Sequence, residues 1–230
     1  MPTIENLKIQ QNTSSEEQAS YLCQCVADIL QRAVDSRGQA TLAVSGGSTP
    51  TLFFQQLSEK NLPWESITIT LVDERWVASD HCDSNQQLVE NHLLQNLAKK
   101  ATFAPLYSSV RTASEHAEYL NQHTPVTLPI DVLMLGMGND GHTASLFPCS
   151  TQLQAGLSTQ DNYIAVEPTS AAHWRMSLSA ECIEQAEHVF LQLKGQDKMA
   201  TLRQACKADT SLEMPIQRFL TSELTIAWCP

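Results

Sequence analysis

Residues 130–142 read IDVLMLGMGNDGH and carry the clearest structural signal in the chain. The run from Ile130 to Leu135 is apolar apart from Asp131. A strand that is apolar at successive positions, rather than at alternate ones, is typical of a parallel sheet covered on both faces. Closely spaced glycines follow the run, and glycines end strands and free the backbone. We therefore predict a buried parallel strand that ends in a glycine-rich loop at residues 136–142.

The same order of strand and loop occurs twice earlier in the chain. Residues 41–44 form an apolar run that enters the loop 45–50, and Pro50 suits the first turn of a following helix. Ile67 to Val72 is another apolar run, which ends at residues 73–76. Such alternation of strands and helices predicts an α/β fold with a mainly parallel, Rossmann-like sheet flanked by helices on both faces. Because no linker, repeat or low-complexity tract interrupts it, we expect a single α/β domain over residues 1–230.

Periodicity and capping signals locate the remaining elements. The first helix is expected at 14–36, because Ser14 and Glu17 have capping-box spacing and Gly38 is a stop signal. Further helices are expected from Ser84 or Asn85 to Leu97 and at 113–121, 180–186 and 196–207, with strands at 162–166, 174–178, 188–193 and 223–228.

Composition restricts the class of function. The net charge is −11 with only 14 Lys plus Arg among 230 residues, and an acidic surface repels phosphodiester backbones, so we expect no nucleic-acid partner. Seven scattered cysteines without a C-x-x-C motif indicate reduced thiols in a cytoplasmic protein. No run of 18 apolar residues and no basic-apolar leader is present, which predicts neither a membrane span nor a Sec-type signal. We expect a monomer or a weak homo-oligomer.

The loops 45–50, 73–76 and 136–142 should converge, because ligands of such folds bind beyond the carboxyl ends of the strands. In the first loop, Gly46 and Gly47 let the backbone approach a ligand, while Ser48 and Thr49 add hydroxyl donors before a helix start that favours an anion. Taken alone, this loop is better explained as a tight turn with a capping hydroxyl residue.

Arginine and lysine residues beside the loops are candidates for binding an anion. Asp73 and Arg75 stand at a strand end, where Arg75 offers a planar fork for phosphate, although a structural Asp–Arg pair is an equal alternative. Arg175 lies in a strand-like segment. Lys198 occupies a helix start, a position that disfavours cations and often indicates a local anion, although a solvated lysine is the ordinary alternative.

Asp140 and His142 are the candidate catalytic residues. Histidine is the side chain most often used as a general base near neutral pH, so His142 is the candidate base, and Asp140 could orient its ring or hold a substrate hydroxyl. Both could ligate a metal, but the sequence has no H-x-x-x-H or Cys/His spacing typical of zinc and no G-x-S-x-G nucleophile motif. We therefore predict catalysis without a metal or another cofactor.

Taken together, these segments resemble the 6-phosphogluconolactonase family, within the larger glucosamine-6-phosphate isomerase/deaminase-like group. The matching segments are SGGSTP at 45–50, VDERWV at 72–77, Ser84-Asn85, GMGNDGHTASLFP at 136–148, Arg175 and Gly195 to Lys198. The resemblance implies a Rossmann-like fold and hydrolysis of a sugar-phosphate lactone by water that His142 activates, with Asp140 orienting the ring or the water. It also implies a substrate-binding set consisting of Gly46, Gly47, Ser48, Thr49, Asp73, Arg75, Arg175 and Lys198.

Besides a scaffold for a neighbouring dehydrogenase, for which a chain of this length offers no obvious interaction segment, two other functions remain open at this point. A deaminase of the same group is the nearer alternative, but its pattern has Asn-Glu-Pro after the histidine loop, whereas this chain has Leu146-Phe147-Pro148. Phe147 thus stands where a deaminase has the carboxylate that assists ring opening. A sugar-phosphate-binding regulator without turnover is the second alternative, and the intact Asp140 and His142 count against it.

Overall fold

The computed structural model describes residues 3–230. The strands are β1 (Lys8–Gln11), β2 (Ala40–Val44), β3 (Ile67–Leu71), β4 (Asp73–Arg75), β5 (Thr102–Ala104), β6 (Val132–Leu135), β7 (Tyr163–Val166), β8 (Arg175–Leu178), β9 (Val189–Lys194) and β10 (Thr225–Cys229). The α-helices are α1 (Ser15–Arg37), α2 (Thr51–Ser58), α3 (Asn85–His92), α4 (Ala113–Gln122), α5 (Leu153–Ser158), α6 (Ala180–Glu184) and α7 (Gln196–Ala205).

Seven strands form a parallel sheet in the order β1-β10-β9-β6-β2-β3-β5. Every residue of β6 and of β2 is buried, as expected for central strands covered on both faces. The predicted α/β fold with a mainly parallel sheet flanked by helices is therefore confirmed. The two edge strands, β1 and β5, were not predicted from the sequence.

A second, three-stranded antiparallel sheet has the order β4-β8-β7. The strands predicted at 162–166 and 174–178 are present, but they belong to this small sheet rather than to the main one. β4 begins at Asp73, after only one residue beyond β3. The small sheet therefore lies at the carboxyl end of the main sheet, and its register sets Arg75 directly opposite Arg175.

The helix ends lie within two residues of the predicted ones, except at the end of α3. α1 begins after Ser14, whose hydroxyl accepts the Glu17 N–H, and ends at Gly38 in the left-handed conformation. α3 ends at His92 instead of Leu97. The helix could not continue to Leu97, because Asn96 has φ 47°, a left-handed conformation that is incompatible with a right-handed helix. Pro50 immediately precedes α2 rather than lying in its first turn.

One continuous cluster of buried apolar residues packs the main sheet against its helices. Leu22, Leu42, Phe53 and Ile226 are fully buried members of it. Among the described residues, no helix has the length and apolar character needed to cross a membrane.

Candidate active site

The three loops that follow β2, β3 and β6 meet at one cavity of about 330 Å³. The cavity is lined by Ser45, Gly46, Gly47, Asp73, Arg75, Asn85, Gly136, Met137, Gly138, His142, Thr143, Ala144, Phe147, Ala171 and Arg175. The carboxyl edge of the parallel sheet thus brings together residues about 130 positions apart in the chain, as this fold class requires.

The imidazole of His142 is held by the carboxylate of Asp140. Nδ1 of His142 lies 2.6 Å from Oδ1 of Asp140, and the His142 backbone N–H donates to the same oxygen over 3.2 Å. Burial alone would raise the pKa of Asp140, but the hydrogen bonds and the charge of His142 outweigh it and lower this pKa. With Nδ1 donating to the carboxylate, Nε2 of a neutral ring is the nitrogen that can accept a proton.

Gly138 makes room for this pair. A Cβ at Gly138 would lie 2.1 Å from Nδ1 of His142 and 2.6 Å from Oδ1 of Asp140. The backbone also closes a tight turn here, because the Gly138 N–H donates to the carbonyl of His142 and Gly141 has φ 77°. Glycine at 138 is therefore required by the position of the histidine ring.

Two arginines face each other where β4 and β8 pair. Arg75 donates from Nη1 to the Asp83 carbonyl over 2.5 Å, and Arg175 donates from Nη2 to the Ala172 carbonyl over 3.0 Å. The Nε atoms of both side chains are buried, and neither has a hydrogen-bond partner within residues 3–230. Burial lowers the pKa of Arg175, which Asp73 opposes and Arg75 reinforces. Two guanidinium groups at paired positions on the cavity wall have the charge and the N–H donors that could bind an anion.

Asn85 and Asp73 connect the loops to one another. Nδ2 of Asn85 donates to the Asp73 carbonyl over 2.8 Å, and the Asp73 carboxylate accepts from the Ser145 hydroxyl over 2.6 Å. A Cβ at Gly46 would lie 1.8 Å from Oδ1 of Asn85, so only glycine fits where the first loop passes this side chain. Asp73 thus lines the cavity while already engaged in the scaffold of the site.

A second cavity of about 280 Å³ adjoins the first, and both are lined by Ser45, Gly46, Gly47, Gly136 and Met137. It contains the remaining predicted substrate-binding residues, Ser48, Thr49 and Lys198. Nζ of Lys198 donates to the Met137 carbonyl over 2.9 Å and to Oδ1 of Asn139 over 2.5 Å. The lysine therefore stabilises the loop that contains His142. It lines the second cavity, whereas the two arginines line the first.

The backbone of the first loop is free to bind a ligand. Of the contacts among residues 3–230, none pairs the N–H groups of Gly46, Gly47 or Ser48 with a protein acceptor. Gly47 has φ 97°, a conformation that favours glycine. Successive unpaired N–H groups at the boundary of the two cavities can bind an anion or stabilise a developing negative charge.

Glu74 is a buried carboxylate that the sequence analysis did not single out. It accepts hydrogen bonds from the N–H groups of Arg75, Asn85 and Gln86 and from the Ser84 hydroxyl. Burial raises the pKa of Glu74, and these four donors oppose the rise. Its role is to join β4 to the start of α3, and the signal for it was the helix cap at Ser84 and Asn85.

Phe147 was noted in the sequence only for the carboxylate that it replaces. Its ring stacks on the His142 imidazole with centroids 4.1 Å apart, and the Arg175 guanidinium carbon lies 5.9 Å from its centre. The benzene ring thereby fixes one face of the imidazole and gives that side of the cavity an apolar wall.

Comparison with known proteins identifies the family of the chain. A family model described as "Glucosamine-6-phosphate isomerases/6-phosphogluconolactonase" matches residues 13–228. The chain belongs to this family. The resemblance inferred from the motif segments is therefore confirmed.

Members of the family similar to this chain include two bacterial proteins named 6-phosphogluconolactonase. The one from Pseudomonas aeruginosa is 43% identical over 220 residues, which cover 94% of this chain and 92% of the relative. The one from Pseudomonas putida is 40% identical over 227 residues, which cover 97% and 93%. The crystal structure of a 6-phosphogluconolactonase from Shewanella baltica superposes with a TM-score of 0.96 at 40% identity, covering 99% of this chain and 100% of that one.

Proposed function

We propose that the protein hydrolyses 6-phospho-D-glucono-1,5-lactone to 6-phospho-D-gluconate, with His142 activating the attacking water. The observation that carries the proposal is the pairing of His142 with Asp140 in the same cavity as Arg75 and Arg175. Its family relatives from two Pseudomonas species are named for this reaction.

The hydrogen bond to Asp140 assigns a task to each nitrogen of His142. Nδ1 is engaged by the carboxylate, so Nε2 takes a proton from water as the water oxygen bonds to C1 of the lactone. The tetrahedral oxyanion is stabilised by free N–H groups of the first loop or by a nearby cation. The bond between C1 and the ring oxygen then breaks, and the imidazolium returns its proton to that oxygen.

The charge distribution supports a phosphorylated substrate. The protein has a net charge of −11, so the long-range potential disfavours a dianionic phosphate. Binding then depends on short contacts, and the opposed guanidinium groups of Arg75 and Arg175 offer charge-assisted hydrogen bonds. We assign the phosphate to these arginines and treat Lys198 as a support of the loop that it contacts.

Phe147 favours the lactonase over the deaminase within the family. An aldose–ketose isomerisation with ring opening needs proton transfers beyond the single water activation of lactone hydrolysis. At the position where the deaminase pattern has a glutamate, this chain has Phe147, whose ring packs on His142. We also propose a cytoplasmic location, which the free state of all seven cysteines supports.

A turnover assay tests the proposal directly. Freshly prepared 6-phosphogluconolactone is mixed with the protein, and acid release is followed with spontaneous hydrolysis subtracted. Glucosamine 6-phosphate is tested separately as the substrate of the alternative deaminase reaction. Enzymatic acid release from the lactone alone supports the proposal, whereas ammonia release from the amino sugar, or binding of the lactone without turnover, contradicts it.

Turnover should survive exhaustive chelation. The pair that activates water consists of an imidazole and a carboxylate joined to each other, so the proposed steps need no Lewis acid. We expect equal kcat before and after dialysis against EDTA. A lower kcat at saturating lactone that one divalent ion restores would contradict the mechanism.

Gly138→Ala should lower kcat much more than Gly136→Ala. The new Cβ at 138 would displace the His142 ring and the Asp140 carboxylate, and misplacing a catalytic group by about 1 Å can cost about 10²-fold. Gly136 is a matched control in the same loop, because a Cβ there has no atom within 4 Å. Circular dichroism and thermal melting establish that both variants fold, and equal kcat in the two would refute the steric argument.

A further inference from the structure

A cluster of metal-ligating side chains lies outside the cavity that contains His142. His81 and Asp83 belong to the loop after β4, and His173 precedes β8. Within residues 3–230, one ligand atom from each of these three side chains lies within 4.8 Å of the other two. None of the three is used in the proposed hydrolysis.

We propose that His81, Asp83 and His173 bind a divalent transition-metal ion of the zinc class. Nε2 of His173 lies 3.2 Å from Oδ2 of Asp83, and Nδ1 of His81 lies 3.9 Å from the same oxygen. Tetrahedral ligands with bonds of about 2.0–2.1 Å to zinc are roughly 3.3 Å apart. Small side-chain rotations would therefore bring the three atoms to coordination distance.

The donor set selects the class of ion. Two imidazole nitrogens with one carboxylate oxygen suit zinc and its transition-metal neighbours, whereas Mg²⁺ and Ca²⁺ prefer oxygen ligands alone. The two imidazole rings are nearly perpendicular, at 77°, with centroids 5.5 Å apart. Water would complete the coordination, since the side chains of His81, Asp83 and His173 are 42%, 51% and 33% exposed.

One hydrogen bond opposes the proposal, and one backbone conformation is of a kind found at ligand sites. Nδ1 of His81 accepts the Asp83 N–H over 3.1 Å, and coordination through Nδ1 replaces that hydrogen bond. The bond is exposed, so water can take over the N–H group at little cost. His173 is held at φ 68°, a conformation that residues other than glycine adopt mainly where surrounding contacts impose it.

The cluster touches the active site through the backbone. The Asp83 carbonyl accepts a hydrogen bond from Nη1 of Arg75, and His173 is two residues before Arg175. A bound ion would therefore tie together the two segments that position the opposed arginines. It would add positive charge outside the anion site while leaving the water-activating pair untouched.

The test uses tag-free protein, stripped of metal by chelation, and measures binding without reference to activity. Zn²⁺ alone is titrated by calorimetry, Co²⁺ is titrated with visible absorption as the readout, and thermal melting is recorded with and without Zn²⁺. The variants are His173→Asn, in which asparagine tolerates the left-handed backbone, and His81→Gln. His188→Gln is the matched control, because His188 is an exposed histidine outside the cluster.

We expect one ion per chain, visible bands without thiolate charge transfer, and a higher melting temperature with Zn²⁺. Both cluster variants should lose at least the roughly 10–100-fold in affinity that removal of outer contacts costs at metal sites. The control should bind like the wild type. Absence of binding, equal affinity in His173→Asn and wild type, or a cysteine thiolate signature would overturn the proposal. None of these readouts depends on lactone turnover, so this proposal and the proposed function fail separately.

Discussion

Replacing His142 with alanine should lower kcat for the phosphorylated lactone by about 10²–10⁴-fold, the usual cost of losing a general base. Binding of 6-phosphogluconate should change little, because the arginines and the free N–H groups of the first loop remain in place. Steady-state kinetics gives kcat, and calorimetry with the product gives the affinity.

Asp140→Asn sharpens the same test. An asparagine can turn its NH₂ group toward Nδ1 and so favour the imidazole tautomer whose Nε2 carries the proton and cannot accept one. We expect kcat to fall while product affinity is kept. His188→Ala controls for the loss of an arbitrary exposed histidine. A His142→Ala variant with the wild-type kcat would eliminate this residue as the base.

Alanine at Arg75 or Arg175 should raise KM for the phosphorylated lactone by roughly 10- to 150-fold, since a hydrogen bond to a charged group contributes about 1.5–3 kcal/mol. The same variants should handle unphosphorylated gluconolactone almost as the wild type does, because that substrate gains nothing from the cations. The measurement is KM and kcat for both lactones with each variant.

Lysine at the same positions separates charge from geometry. An ammonium group keeps the positive charge but lacks the planar fork, so Arg75→Lys and Arg175→Lys should recover only part of the loss. Urea unfolding shows whether a variant remains folded, which matters most for the buried Arg175. Equal losses with both lactones would mean that the arginines act on the fold or on the reacting centre, and their assignment to phosphate would be abandoned.

Much of the main sheet could be predicted because its central strands are buried on both faces, which leaves continuous apolar runs in the sequence. The small antiparallel sheet could not be predicted as a separate unit. Its strand β4 has three polar residues, Asp73–Arg75, which read as a loop, and its partner β8 is about a hundred residues away. The edge strands β1 and β5 are short, at four and three residues, so they carry little pattern.

The parts of the site that follow from the geometry of parallel strands could be predicted. The parts that depend on individual side-chain contacts could not. The convergence of the three motif loops follows from parallel strand ends. The placement of the arginines in one cavity and of Lys198 in the other could not be predicted, because it depends on which oxygen atoms accept hydrogen bonds from the Lys198 ammonium group. Asn85 was predicted as a possible helix start and as part of a matching segment, and its bond to the Asp73 carbonyl is visible only in three dimensions. The pattern of ligands at positions 81, 83 and 173 matches no metal motif, since the third ligand is supplied by a distant segment.

The face-to-face arginines have a consequence for the lifetime of the protein in the cell. Asp73 offsets part of the repulsion between Arg75 and Arg175, and a bound anion would offset more of it, so part of the attainable stability exists only in the complex. A ligand that binds the folded state alone stabilises it in proportion to the logarithm of its concentration. Cellular proteases act on the unfolded fraction, so a small loss of stability changes abundance several-fold. Degradation of the chain should therefore be fastest in cells depleted of the sugar phosphates that it binds, and slowest when they are plentiful.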